Sequence, residues 1–266
     1  MNKINSMKQK INKSFLRNGY FIIDIKNKSY LTKIYLEILK KINIYFSKKK
    51  LIIKKKNLDY FLNNIHKYIS NSELNDFRLF LYNELNKSKN FHKFYLKTCE
   101  EYLDIICGNE LSMQKKINLS IQMPRDESSI LPIHSDVWSG NSPFEIVVWM
   151  PLVDCSKTKS MFILPYKDNS YYYKNFKKYK NSEKLFKACE NKIKWINIKK
   201  NQILLFSQNL LHGNVVNEEK TSRWSFNCRF KSLFSPYHQK EIGEFFKPLN
   251  LKPATIMGMN YEEPNI

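Results

Sequence analysis

"SRWSFNCRF", residues 222–230, alternates polar and apolar side chains one by one. Successive side chains of a β-strand point to opposite faces, so a period of two marks a strand with one face buried. Arg223, Ser225, Asn227 and Arg229 fall on one face, and Trp224, Phe226, Cys228 and Phe230 on the other. The ordinary reading of such a strand leaves its polar face in water. Yet only five of the 45 basic residues of this chain are arginine, and two of the five lie on this face. An arginine with a hydroxyl nearby is suited to holding a carboxylate inside a barrel.

The same period recurs upstream. "NLSIQM" (118–123), "FEIVVWMPLV" (144–153), "SMFILP" (160–165), "KWINIK" (194–199) and "QILLFS" (202–207) all read as strands, separated by Pro, Asn and Gly. The polar, aromatic stretch 169–192 between them reads as a partly helical insertion. Ahead of the strands, apolar residues take helical spacing in 30–46, 57–69, 72–89 and 92–108, after a short buried strand in "NGYFIIDI" (18–25). Ser70 and Glu73 have the spacing of a capping box, and Gly108 is placed to end a helix. The fold class expected is α+β in a single domain. A mainly helical part (1–114) precedes an antiparallel β core (115–232) built as a barrel or sandwich, and 233–266 lies across the rest.

With 266 residues, 42% hydrophobic and 14% aromatic, the chain can bury a substantial core. No apolar run reaches the length of a membrane span, and the lysine-rich start has no apolar region behind it, so neither a span nor a signal peptide is expected. Five scattered cysteines without CxxC spacing argue against a disulfide framework and fit the cytoplasm. The net charge of +21 would suit nucleic acid or a phosphorylated ligand. Its makeup, lysine with abundant Asn and Ile, is that of an AT-rich coding sequence. Specific readers of nucleic acid rely on arginine, so no specific nucleic-acid partner is expected.

The chemistry centres on "ILPIHSDVWSGNSPFE" (130–145). His134 and Asp136 sit two apart in a stretch too rich in Pro, Ser and Gly for a helix. The plain reading is a surface turn. At a strand end, however, residues i and i+2 share a face, so an imidazole and a carboxylate can reach one cation. His212, in "QNLLHGNVVN" (208–217), supplies a third ligand after an apolar strand. Two histidines and one carboxylate with open positions form the facial arrangement of non-haem Fe(II) oxygenases, although zinc can use the same set. Trp138 and Glu145 flank the pair and are candidate substrate contacts, whereas Trp149 reads as core. Lys157 and Lys159 read as a solvated loop. His66, His92 and His238 receive no role.

Segment 115–232 resembles the Fe(II)/2-oxoglutarate-dependent oxygenases of the phytanoyl-CoA hydroxylase-like superfamily. "HSDVWSGNSPFEIVVWMPLVDCSKTKSMFILP" (134–165) is most similar to members found in bacterial surface-carbohydrate gene clusters, and "RNGYFIIDI" (17–25) resembles the superfamily's opening. The resemblance implies a double-stranded β-helix (a cupin-like jelly roll) that binds Fe(II), the cosubstrate 2-oxoglutarate and O2. It implies His134, Asp136 and His212 as metal ligands, and Arg223 with Ser225 as the holder of the distal 2-oxoglutarate carboxylate. Gln122 is implied as a lesser pocket contact. Members often carry a "PGSH"-like turn where this chain has "LPYKDN" (164–169), so no role passes there. Halogenating relatives lack the carboxylate ligand, so Asp136 argues against halogenation.

The reaction implied is oxidation, above all hydroxylation, of a C–H in a saccharide or sugar-nucleotide intermediate of surface-polysaccharide biosynthesis. Two other readings remain open at this point. One is a cupin-like metal-dependent isomerase or hydrolase that does not use 2-oxoglutarate. The other is a basic nucleic-acid-binding protein whose HxD is incidental.

Overall fold

The computed structural model describes residues 2–264. Helix α1 (Asn2–Asn18) leads into strand β1 (Tyr20–Asp24), followed by α2 (Lys28–Phe46), α3 (Leu58–Asn63), α4 (Asn71–Asn86) and α5 (Lys89–Ile106). Strands β2 (Leu111–Gln114), β3 (Asn118–Gln122), β4 (Ile146–Pro151) and β5 (Phe162–Ile163) come next. Helices α6 (Tyr166–Lys174) and α7 (Ser182–Cys189) precede β6 (Lys194–Trp195), β7 (Gln202–Ser207), β8 (His212–Gly213) and β9 (Arg223–Ser232). The described chain closes with β10 (Phe246–Leu249) and α8 (Pro253–Met259).

Helix α2 forms because Leu31, Ile34, Ile38, Ile42 and Phe46 recur every three or four residues and are all buried. Helix α4 starts at the capping box read from the sequence: the Ser70 hydroxyl accepts from the Glu73 N–H while the Glu73 carboxylate accepts from the Ser70 N–H. After α5, Gly108 takes a left-handed φ of +100°, open to glycine without strain. The helix expected over 57–69 is interrupted. Helix α3 stops at Asn63, and a 3-10 turn over Ile65–Lys67 follows, with the Asn63 and Asn64 side chains donating to backbone carbonyls one turn back.

The larger sheet is antiparallel in the order β1-β7-β4-β9-β2-β10, with β3 paired to the first half of β9. Strand β9 spans both β2 and β3 on one side and β4 on the other. Its apolar face meets the helices, where Phe77 packs edge-on to Trp224 and Phe91 packs on Phe226, and on the neighbouring β4 the Tyr95 hydroxyl donates to Val148 O. Helix and sheet residues from Ile11 to Phe230 join one core. The smaller sheet, β6-β5-β8, carries the insertion on its outer side, where Tyr172, Leu185 and Cys189 pack with Ile133, Phe162 and Leu211. Strands β1, β2 and β10 all belong to the larger sheet, so it draws on chain before 115 and after 232. Among the described residues, no helix is long and apolar enough to cross a membrane.

Candidate metal centre

His134 and His212 face each other across a two-residue bridge in which each backbone N–H donates to the other's carbonyl at 2.9 Å. Cross-strand partners of this kind project to the same side, and the two imidazole centroids lie 4.4 Å apart. Strand β8 pairs on its other side with β5, Ile163 opposite His212, which anchors the bridge to the smaller sheet. Beyond His134 the chain turns into a 3-10 turn, Asp136–Ser139, ended by Gly140 at φ +79°. Ser135 points the other way and donates to Gln208 O at 2.8 Å. The expected i, i+2 geometry is therefore present: His134, Asp136 and His212 offer ligand atoms all within 4.8 Å of one another.

The glycine after His212 has a steric reason. A Cβ on Gly213 would lie 2.7 Å from Leu131 O and 2.9 Å from the Phe162 ring. Any side chain there would push apart the two strands that carry the histidines.

Both imidazoles are oriented from behind. His134 Nδ1 donates to Pro132 O at 2.7 Å and His212 Nδ1 donates to Leu210 O at 2.9 Å. A carbonyl only accepts, so the proton sits on Nδ1 and the Nε2 lone pair is left for a metal. The carboxylate is held as well: Arg229 contacts Asp136 Oδ1 at 3.0 Å. Burial by itself would raise the Asp136 pKa, but His134, 3.6 Å away, and the His212 and Arg229 charges outweigh it and hold the group well below the usual range. Burial pulls His212 down to about 4, so it is neutral at physiological pH. For His134 burial acts in the same sense, yet its contacts with Asp136 and Pro132 win and raise it.

The three residues open onto a cavity of about 630 Å³. Its wall includes the inward faces of β3, β4 and β9 at Asn118, Ser120, Val147, Trp149, Arg223, Asn227 and Arg229. Trp149 is buried, as a core residue would be, and also lines this wall. Arg223 is 3% exposed, and burial lowers it to about 10. One amino group donates to Ser120 Oγ at 3.3 Å. Among the described residues its Nε has no hydrogen-bond partner, and neither has Ser225 Oγ two residues along the same face. Buried polar atoms are almost always paired, so the open Nε of Arg223, a residue of the cavity wall, fits a missing anionic acceptor, whereas Ser225 is fully buried and off that wall.

Other expected residues fall elsewhere. Gln122 is fully buried and off the cavity wall, donating to Val215 O at 2.7 Å and accepting from Asn214 Nδ2 at 3.3 Å. Glu145 is likewise fully buried: it accepts from the Ser142 N–H at 2.6 Å and from the Gln208 amide, so it faces no substrate. Trp138 is exposed and packs on Phe176, with ring centroids 4.8 Å apart. Lys159 is no solvated loop residue: it is 6% exposed and donates to Asn63 Oδ1 and Thr221 Oγ1. Sequence reasoning placed Arg229 on the inward face without a task. Its contacts with Asp136, Gln208 and Gln114 come from three distant segments.

No family model and no curated protein matches the chain. Its fold is shared with solved non-haem enzymes at low identity. A nickel complex of the non-haem monooxygenase ThoJ aligns over 89% of this chain and 82% of its own, at TM-score 0.50 and 13% identity. HygX from Streptomyces hygroscopicus, solved with nickel and 2-oxoglutarate, aligns over 86% of this chain and 88% of its own, at TM-score 0.52 and 9% identity. The α-ketoglutarate-dependent carbocyclase SnoK from nogalamycin biosynthesis covers 91% and 96%, at TM-score 0.53 and 10% identity.

Proposed function

We propose that this chain is an Fe(II)- and 2-oxoglutarate-dependent dioxygenase of the phytanoyl-CoA hydroxylase-like type, acting as one cytoplasmic domain whose two sheets form a double-stranded β-helix. The observation that carries the reading is one cavity lined by His134, Asp136 and His212, whose ligand atoms lie within 4.8 Å of one another, and by the buried Arg223, whose Nε has no partner among the described residues. His134, Asp136 and His212 would hold the metal, and Arg223 with Ser225 the distal carboxylate of 2-oxoglutarate. Iron and 2-oxoglutarate, when bound, supply the oxidative activation of O2 needed to attack a C–H bond.

The chain's own residues do the rest. Pro132 O and Leu210 O hold the proton of each neutral ring on Nδ1 and aim both Nε2 atoms at one point. Arg229 fixes Asp136 Oδ1 and, after His134 and His212, helps keep the carboxylate ionised, which leaves Oδ2 on the His212 side, 4.0 Å from its Nε2. Phe206 packs on His212 with ring centroids 4.9 Å apart, which screens that imidazole from water. The substrate proposed is a saccharide or sugar nucleotide of surface-polysaccharide biosynthesis, hydroxylated at carbon; this finer assignment rests on the sequence resemblance. A cupin-like isomerase or hydrolase without 2-oxoglutarate gives no reason for the open Nε of Arg223.

The test is an anaerobic titration of metal-free protein with Fe(II) and 2-oxoglutarate, followed through the visible charge-transfer band of the chelate. The wild type is expected to develop the band, and His134→Ala and Arg223→Ala to lose it, the latter while still binding metal. Metal binding by the wild type with no band refutes the oxygenase reading and favours the cupin-like one.

A further inference from the structure

Three of the chain's five arginines, Arg78, Arg223 and Arg229, line the one cavity that holds the metal centre, together with Lys240. Against these four cations the wall presents a single carboxylate, Asp136. Arg229 is matched by Asp136, and the oxygenase reading matches Arg223 to 2-oxoglutarate. Fe(II) and the 2-oxoglutarate dianion cancel in charge, so loading the site leaves the surplus in place.

Arg78 and Lys240 remain. Arg78 donates to Asn75 Oδ1 at 2.8 Å and Lys240 to Asn141 Oδ1 at 3.0 Å, both neutral amide oxygens. Among the described residues neither makes an ion pair, although both are half-buried. Elsewhere in the chain lysines such as Lys41, Lys49, Lys97 and Lys200 do find carboxylates. The two cations reach the cavity from different places. Arg78 comes from α4, which packs on the edge strand β3. Lys240 comes from the segment after β9, tied to the loop behind Asp136 by Ser142 Oγ donating to Pro236 O at 2.6 Å. Burial and the Arg229 charge lower the Lys240 pKa against the opposing pull of Glu145 and Asp136, neither of which forms an ion pair with it.

We propose that Arg78 and Lys240 bind a phosphate or carboxylate of the primary substrate, so that the molecule oxidised here is an anion. This rests on the oxygenase reading, because that reading assigns Arg223 and Arg229 to other partners. It narrows the saccharide class to sugar phosphates, sugar nucleotides and sugar acids. Guanidinium and ammonium together suit either anion, the former by its planar fork and the latter as a point charge.

The experiment is isothermal titration of protein loaded with Ni(II) and saturating 2-oxoglutarate. Uridine 5′-diphosphate, glucose 1-phosphate and galacturonate are the probes, with uridine and glucose as neutral counterparts. At least one anion is expected to bind tenfold or more tightly than its neutral counterpart, and which one distinguishes phosphate from carboxylate. Arg78→Gln and Lys240→Gln should each weaken it roughly tenfold or more, the loss of one charge-assisted contact. Lys240→Arg should retain it, and all three variants should keep 2-oxoglutarate affinity within about twofold. Lys55→Gln, which removes the same charge from a remote exposed turn, should change nothing. Equal weakening by Lys55→Gln would reveal attraction by net charge and overturn the proposal. So would indifference to both cavity variants, or no preference for any anion over its neutral counterpart. Failure of the nickel-loaded wild type to bind 2-oxoglutarate shows itself before any probe is added, and overturns the oxygenase reading and this inference together.

Discussion

Replacing Arg223 by methionine should make the ligand-free protein more stable and abolish its response to 2-oxoglutarate. Arg223 is buried, with its Nε unpartnered among the described residues, and burial lowers its pKa from 12.5 to about 10. A depression of that size is worth roughly 3 kcal/mol. Its sign is destabilising: at neutral pH the side chain is a cation folded or unfolded, and the folded state holds that proton less tightly. Methionine has similar length and no charge to bury. It forfeits the 3.3 Å hydrogen bond to Ser120, worth about 1 kcal/mol. The net gain expected is about 1–2 kcal/mol, or about 2–4 °C in Tm for a chain of this size. Adding 2-oxoglutarate at about a hundred times its Kd stabilises the wild type by about 2.7 kcal/mol and the variant not at all. Thermal melts of nickel-loaded protein should therefore cross: the variant melts higher without 2-oxoglutarate, the wild type higher with it. A variant that melts lower in its absence and still shifts upward in its presence would refute the reasoning.

Three further outcomes are expected. Ni(II) binding near pH 6.5 should release at most one proton, fewer as the pH rises, because only His134 has a raised pKa while Asp136 and His212 are already deprotonated; titration calorimetry in buffers of different ionisation enthalpy counts it, and two protons would contradict the assignment. Gly213→Ala should cost about 2 kcal/mol or more and weaken nickel binding at least tenfold, since its Cβ meets backbone at Leu131 O; denaturant melts and metal titration measure both, and a neutral effect would mean the bridge carrying the histidines is slack. Ser70→Ala should cost about 1 kcal/mol through loss of the α4 cap while leaving nickel affinity unchanged, a split that denaturant melts and metal titration can read on one preparation.

Much of this molecule is written locally. The alternation in 222–230 placed four polar residues on one face of β9 and four apolar ones on the other, and the structure seats Arg223, Asn227 and Arg229 on the cavity, buries Ser225, and packs Trp224 and Phe226 against α4 and α5. The α4 cap and the HxD pair are equally local, because a capping box and an i, i+2 face depend on neighbours within one turn or one strand. Helix α1 and the short strands β2, β8 and β10 escaped sequence reading. Four or two residues carry too little period to register, and among the positions of α1 whose burial is described only Ile11 is buried in a polar helix.

Pairings between distant segments belong to the tertiary structure alone. His212 meets His134 through an isolated bridge across 78 residues, and Gly213 is required by the Leu131 carbonyl on the segment that carries His134. Arg229 becomes the partner of Asp136, Gln122 and Glu145 turn inward to hold the scaffold, and Arg78 reaches the cavity from a helix that sequence reads only as amphipathic. A side chain's type sets which bonds it can make, and local pattern sets which way it faces. Which partner waits there depends on how strands far apart in the chain come into register.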